Sequence, residues 1–378
     1  MLSLTIARSA LLDALSSTAK VVEKRNTIPI LSNVLLHAEG DTLAVTGTDL
    51  DIYLTTRVPA TVTAAGSITL PAGALHDIAR KLPGDAVVTI EDGGNGQVSV
   101  RAGRSRFTLG SLPASDFPAV LGMADSHAAE IAIAGGLLAK LLSRTAFAIS
   151  NEETRYYLNG TFFVGVETPE GPALRAVATD GHRLARVQTS AASGVRTDVP
   201  GVIVPRKACG EISRLAEAAG EVDVRLVIMA ARIQMTVGDT VLTSKLIDGT
   251  FPDYQRVIPT GNDRIALAPV EALSAAVARV GVIASERGRA VKLDLDGRGG
   301  LTVIMRNPEG GEAVETLDVE HEGAPFGIGL NGRFLADILE QVGGDTARLA
   351  FADPGSPVLI RPRQGDDALF VLMPMRVA

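Results

Sequence analysis

The chain has 378 residues, of which 46% are hydrophobic, 21% charged and only 4% aromatic, with no tryptophan, so Val, Ile, Leu and Ala must build its cores. A formal net charge of −7 and a pI near 5.4 exclude a protein coated in basic charge for tight nucleic-acid binding, though not a locally basic surface. No stretch approaches the roughly 18 consecutive apolar residues of a membrane span and Arg8 and Asp13 break up any leader, so a cytoplasmic location is expected; the lone Cys209 excludes an intrachain disulfide and argues against a cysteine-based metal site.

In chain order, a helical pattern opens at Ile6 with Leu11, Leu12, Leu15 and Ala19. It recurs from Ile133 (Leu137, Leu138, Leu141, Leu142, Ala146) and again from Leu267 (Ala272, Leu273, Ala276, Val280). A second strand and helix unit repeats at 70–90, 204–226 and 330–351, and a strand leading to a proline turn repeats at 107–113, 242–252 and 369–374. Self-similarity at a period near 130 residues, close to the ordinary size of a domain, predicts three repeated domains. They are expected at 1–122, 130–253 and 263–378, with linkers around Gly122 to Glu130 and Pro259 to Asp263.

Within each repeat, alternating stretches such as Thr42 to Val45, Gln97 to Val100 and Leu301 to Met305, with turns at Gly93 to Gly96 and Gly238-Asp239, predict antiparallel strands. The fold class is therefore α+β. Sheets covered by helices on one face leave open edges that invite pairing with a neighbouring domain. Three such domains form an arc, and complementary ends would close it head to tail. The first domain offers Arg101, Arg104 and Arg106 beside Phe107 and Leu109; the third offers Glu309, Glu312 and Glu315 with Val282 and Ile283.

No phosphate loop, GxGxxG, HExxH or GxSxG is present. Asp180 and His182 lie close enough in sequence for a hydrolase reading, yet Asp180-Gly181 also reads as a turn between the strands 174–178 and 184–187. Lys and Arg collect on the helices, including Lys20, Arg25, Arg80, Lys81, Lys140, Arg144, Arg206, Arg214, Arg279 and Arg333, whereas acidic residues cluster in strands and loops, as in 309–322.

Several strings, in order along the whole chain, resemble the bacterial DNA polymerase III β subunit, the replicative sliding clamp. They are Thr27 to Asn33, Gly103 to Phe107, Asp116-Phe117-Pro118, Arg155 to Gly160, Ala178 to Leu184, Phe251 to Tyr254 and Met373 to Arg376. The resemblance implies a non-catalytic processivity factor without cofactors. It implies a head-to-tail homodimer of six domains, ring-shaped around double-stranded DNA, with helices inside and sheets outside. Its partners would be the polymerase III catalytic subunit, an ATP-dependent clamp loader, and other polymerases and repair proteins that carry clamp-binding peptides.

By the same resemblance, Arg25, Arg80, Tyr156 and Tyr157 would contact DNA. A peptide pocket would use Leu158, Thr179, Gly181, His182, Arg183, Leu184, Pro252, Arg256, Val257, Asn331, Phe334, Met373, Pro374, Met375 and Arg376, with Arg183 and Arg256 orienting polar groups of the peptide. The dimer interface would use Arg104, Arg106, Phe107, Leu109, Val282, Ile283, Glu309 and Glu312. The pattern departs at Gly288, where an aromatic can sit, at Gly355 and Pro357 on the rim, at the longer tail Val377-Ala378, and at Gly73-Ala74, which lack a basic pair. A scaffold of the same fold, devoted mainly to recruiting repair or regulatory proteins, is the alternative reading.

Overall fold

The computed structural model describes residues 1–23, 27–119, 129–189, 199–285, 290–308, 310–321, 323–365 and 367–377. Three times the chain runs strand, helix, strands, helix, strands. The first repeat is β1 (Ser3–Ala7), α1 (Arg8–Thr18), β2 (Asn33–Glu39), β3 (Thr42–Thr48), β4 (Ile52–Pro59), β5 (Thr61–Ala64), β6 (Gly66–Pro71), α2 (Ala72–Lys81), β7 (Val87–Asp92), β8 (Gln97–Ala102) and β9 (Ser105–Gly110). The second is β10 (Ala129–Ala134), α3 (Gly135–Ala146), β11 (Gly160–Thr168), β12 (Gly171–Thr179), β13 (Arg183–Gln188), β14 (Val202–Pro205), α4 (Arg206–Ala219), β15 (Asp223–Ile228), β16 (Arg232–Val237) and β17 (Thr240–Lys245). The third is β18 (Arg264–Pro269), α5 (Val270–Val280), β19 (Ala290–Leu295), β20 (Gly300–Arg306), β21 (Glu312–Asp318), β22 (Phe326–Asn331), α6 (Gly332–Val342), β23 (Thr346–Phe351), β24 (Val358–Pro362) and β25 (Ala368–Leu372).

The described residues fall into two compact units, 1–136 with 214–246 and 137–213 with 247–378. In the first unit one sheet has the order β5-β1-β7-β8-β9 and the other β10-β15-β16-β17-β4-β3-β2-β6. The second sheet crosses from one repeat to the next where β17 pairs β4 antiparallel, Val241 opposite Thr55 and Leu242 opposite Leu54. Leu4, Ile6, Leu36, Val45, Val88 and Val100 from the strands and Leu11, Leu15 and Leu75 from the helices make its core. Full burial of each such side chain contributes about 1.5–3 kcal/mol. Helix α1 has no side-chain cap; burial of Leu11, Ala14, Leu15 and Thr18 on one face is what holds it.

The second unit has sheets β14-β11-β12-β13-β25-β24-β23-β18 and β21-β20-β19-β22. Here β13 pairs β25, Arg186 opposite Leu369 and Ala185 opposite Phe370. Both faces of β25 are buried, so its sequence, Ala-Leu-Phe-Val-Leu, reads as a continuous apolar run.

Three expectations are corrected. The third copy of the first helical pattern is in register from Ala268, not Leu267: Ala266 and Ala268 are the buried positions of β18. Leu267 lies on the opposite face of the strand, its backbone exchanging hydrogen bonds with Glu320. The first linker is shorter than expected, since Ala129 and Glu130 belong to β10 and Glu130 bonds Arg225 of β15. The cations on helices are partly spent internally: Arg144 donates to the carbonyls of Gln341 and Val342 at the end of α6 (2.7 and 2.6 Å), and Arg279 bonds Glu315 (2.8 Å). No helix is long and apolar enough to cross a membrane, and among the described residues no cluster of His, Cys, Asp and Glu gathers to hold a metal.

Candidate functional site

The hairpin between β12 and β13 is built by its own side chains. The Thr179 hydroxyl donates to the Arg183 carbonyl (2.8 Å) and accepts from the Gly181 N–H (3.1 Å), while Asp180 Oδ1 accepts from the N–H groups of His182 and Arg183 (2.9 and 3.0 Å). Position 181 has φ of +89°, and a Cβ there would lie 2.7 Å from Arg155 Nη1, so glycine spares the backbone strain and leaves the Arg155 guanidinium where it is. The carboxylate of Asp180 is engaged by this turn and by the Arg183 guanidinium (3.0 Å). It does not orient the His182 imidazole as a hydrolytic pair would need.

Beside this hairpin lies a cavity of about 300 Å³. It is lined by Leu158, Thr179, Gly181, His182, Arg183, Leu184, Pro252, Val257 and Met373, all expected from sequence, together with Arg155, Tyr157, Asp253, Tyr254 and Val371. Leu158, Leu184, Tyr254 and Val371 belong to the buried cluster beneath it, whereas Val257 and Met373 remain exposed. An apolar floor with mobile-stemmed methionine at the rim suits an extended apolar peptide or a small apolar ligand. Arg155 is tied to Glu152 (2.7 Å), and that bond holds the Glu152 carboxyl below its usual range.

The C-terminal tail closes one side. Met373 N–H donates to the His182 carbonyl and Met375 N–H to Gly329 (2.9 and 2.8 Å), with a bridge between Leu330 and Pro374. A Cβ at Gly329 would approach the Met375 carbonyl to 2.4 Å, so only glycine lets the tail lie this close.

Six of the expected pocket residues do not line the cavity itself. Pro374, Met375 and Arg376 form the tail. Asn331 caps α6, its side chain accepting from the N–H groups of Arg333 and Phe334. Arg256 is highly exposed and paired with Asp253 (2.9 Å). Phe334 stands behind His182, ring centroids 6.3 Å apart. Arg183 touches the cavity but is not free to orient a ligand, because its guanidinium bonds Asp180, Asp337 and the Phe147 carbonyl.

Of the residues expected to contact DNA, Arg25 lies outside the described residues. Arg80 is exposed in the last turn of α2, bonded to Asp77 (2.9 Å). Tyr156 is exposed and meets Tyr157 edge-on at 5.8 Å, while Tyr157 also faces the cavity.

The expected interface residues fall on two sheet edges. Arg106, Phe107 and Leu109 lie in β9 and Arg104 in the turn before it; Phe107 and Leu109 pack on the first unit's core. Glu312 begins β21 and bonds Arg306 (2.7 Å), and Val282 and Ile283 follow α5, Val282 being 83% exposed. Glu309, Gly288 and Ala378 lie outside the described residues. Gly73 and Ala74 sit in the first turn of α2, and Gly355 and Pro357 in the turn between β23 and β24, where the Pro357 carbonyl accepts from Asn262.

The pocket hairpin has a copy in the first unit that sequence reasoning missed: Thr179-Asp180-Gly181-His182 matches Thr48-Asp49-Leu50-Asp51. Leu50 N–H donates to Thr48, and Asp51 and Ile52 N–H groups donate to Asp49, as in the pocket. Leu50 takes φ of +79°, the only non-glycine at positive φ among the described residues. Lys245 occupies the place of Met373, its N–H on the Asp51 carbonyl and its ammonium on the Asp51 carboxylate (3.0 Å).

Residues 2–121, 132–253 and 255–376 match the family models of the DNA polymerase III beta subunit N-terminal, central and C-terminal domains. A beta sliding clamp of Caulobacter vibrioides is 46% identical over 377 residues, 100% of both chains. The crystal structure of the DNA polymerase sliding clamp from Caulobacter crescentus superposes with a TM-score of 0.93 at 46% identity over all of both chains. A sliding clamp from Bartonella birtlesii, solved bound to griselimycin, gives 0.94 at 42% identity, again over all of both chains.

Proposed function

The chain belongs to the DNA polymerase III beta subunit family, and on that footing we propose that it encircles duplex DNA as a head-to-tail dimer and tethers the replicative polymerase there. The observation that carries this reading is the fate of equivalent strands. β17 pairs β4 and β25 pairs β13, but β9 and β21, which hold the same places in the first and third repeats, each end their sheet among the described residues. Two copies would satisfy both edges, and a contact of this kind closes into a ring.

Strand equivalence supports one register for that contact. Thr69, Leu35, Thr46 and Thr55 form a row leading to Val241. Ile203, Phe162, Val177 and Arg186 form its counterpart leading to Leu369. Gly329, Lys292, Ile304 and Val314 form the third row, and the residue matching Val241 and Leu369 is Arg106. Arg106 would therefore face the partner subunit's Val314, and Phe107 the partner subunit's Ala313.

The first domain would extend over 1–122, the second from Ala129, where β10 begins, to 253 and the third over 263–378, with helices toward the DNA and sheets outside. Contacts through Arg25, Arg80, Tyr156 and Tyr157 are few and sequence-blind, as sliding requires; a larger basic surface would bind phosphates tightly and act as a brake. The cavity beside Gly181 and His182 receives short peptides of the polymerase catalytic subunit, the ATP-dependent loader and repair proteins, in the cytoplasm. On primed circular DNA with the loader and the catalytic subunit, adding the chain should lengthen primer-extension products. Products of unchanged length would count against the processivity role.

A further inference from the structure

We infer that Asp337, a residue outside the cavity lining, is a positioning residue that acts through Arg183 to set the face His182 presents to a ligand. The inference rests on the cavity being the ligand site. Arg183 has only 10% of its side chain exposed, and its planar fork is held on three edges: by Asp180 of its own hairpin, by Asp337 of α6 and by the Phe147 carbonyl after α3. Its Cζ lies over the rings of Phe147 (4.9 Å) and Phe334 (4.2 Å). Bonds along its edges hold the cation in place against both rings, so moving the cation disturbs the packing of Phe334.

The result is a chain of contacts, Phe147 to Arg183 to Phe334 to His182, whose last ring lines the cavity, inclined 28° to Phe334. Within it Asp180 can hold the guanidinium only relative to their shared hairpin, and the Phe147 carbonyl carries no net charge. The charge-assisted link from Arg183 to α6, the helix that carries Phe334, is Asp337. Arg183 and Asp337 are separated by 154 positions in sequence, so no local pattern signals the pair.

The test uses the full chain with 13C-labelled histidine, five in all, and griselimycin as the probe. In Asp337→Asn without ligand, the His182 ring resonance should move as Phe334 shifts, and calorimetry should give roughly tenfold weaker griselimycin binding, the size of one lost charged hydrogen bond. Glu340→Gln, an exposed change on the same helix, should alter neither. Asp337→Asn with an unmoved His182 resonance and wild-type affinity would overturn the inference. Should Asp337→Asn fail to fold, Arg183→Lys carries the test, since an ammonium cannot bridge both carboxylates and stack both rings; an unmoved resonance there would also overturn it. Failure of the wild-type chain to bind griselimycin would instead refute the cavity reading, while the ligand-free resonance still decides the role of Asp337.

Discussion

Met373 donates its backbone N–H to the carbonyl of His182 at 2.9 Å, and Lys245 does the same to Asp51 at the same distance. These two bonds mark equivalent junctions between repeats, but their side chains differ in kind. At one, glycine and methionine leave an apolar cavity; at the other, Leu50 adds a side chain on the turn and Lys245 pairs with Asp51. Leu at positive φ costs about 1 kcal/mol or more.

Of these two junctions, only the one beside Gly181 is expected to take an apolar ligand. Calorimetric titration with griselimycin, the ligand of the Bartonella birtlesii clamp, should saturate at no more than one per chain, because the exposed Lys245–Asp51 ion pair would lose hydration beneath an apolar ligand. A stoichiometry of two would mean that the first junction also binds.

Gly181→Ala should damage the cavity and the fold together. The methyl meets the Arg155 guanidinium and forces a residue into left-handed backbone, at a cost of about 1–2 kcal/mol. Thermal unfolding should shift downward and griselimycin affinity fall. A variant with wild-type melting and binding would show that Arg155 yields freely.

The inferred register predicts a specific cross-link. Phe107→Cys with Ala313→Cys should oxidise to a covalent dimer on a non-reducing gel, whereas Phe107→Cys with Thr316→Cys, out of register and on the other face, should not. Salt should weaken the dimer only modestly: Glu312 and Glu315, expected from sequence to meet Arg104 and Arg106, are already bonded to Arg306 and Arg279, and exposed ion pairs contribute little. Cross-linking by the control pair alone would refute the register.

The native thiol should not interfere. Cys209 is buried with its Sγ on the Val204 carbonyl, and burial pushes its pKa up to about 11. The thiol thus remains neutral in the folded chain where it would ionise when unfolded. Its contribution to stability is full below the ordinary thiol value of 9.0 and is lost as pH rises through about 11. A disulfide reagent at pH 8 should leave it unmodified until denaturant is added; rapid labelling of the native chain would contradict its burial.

Much of this was legible in the sequence. Helix spacing and alternating strands carried the threefold repeat, and local turn chemistry at Asp180-Gly181 carried the hairpin, because both depend on neighbours within a few residues. The register of the third repeat misled because Leu267 is more apolar than Ala266 and Ala268, although the alanines are the buried pair. Arg155 and Tyr254 lay within recognisable strings, yet their place in the cavity depends on strands brought together from distant parts of the chain. Arg183 was misjudged for the same reason: a free-looking cation on a hairpin is consumed by Asp337 and Phe147, which only the tertiary fold supplies.

The central claim is topological, and one measurement addresses it directly. The chain is loaded on nicked circular DNA by its cognate loader, washed at high salt, and the circle is then cut once. Retention on the circle followed by release on cutting is the predicted result, since high salt removes phosphate contacts but not a link. Loss in the first wash, or equal retention on the linear product, would contradict encirclement.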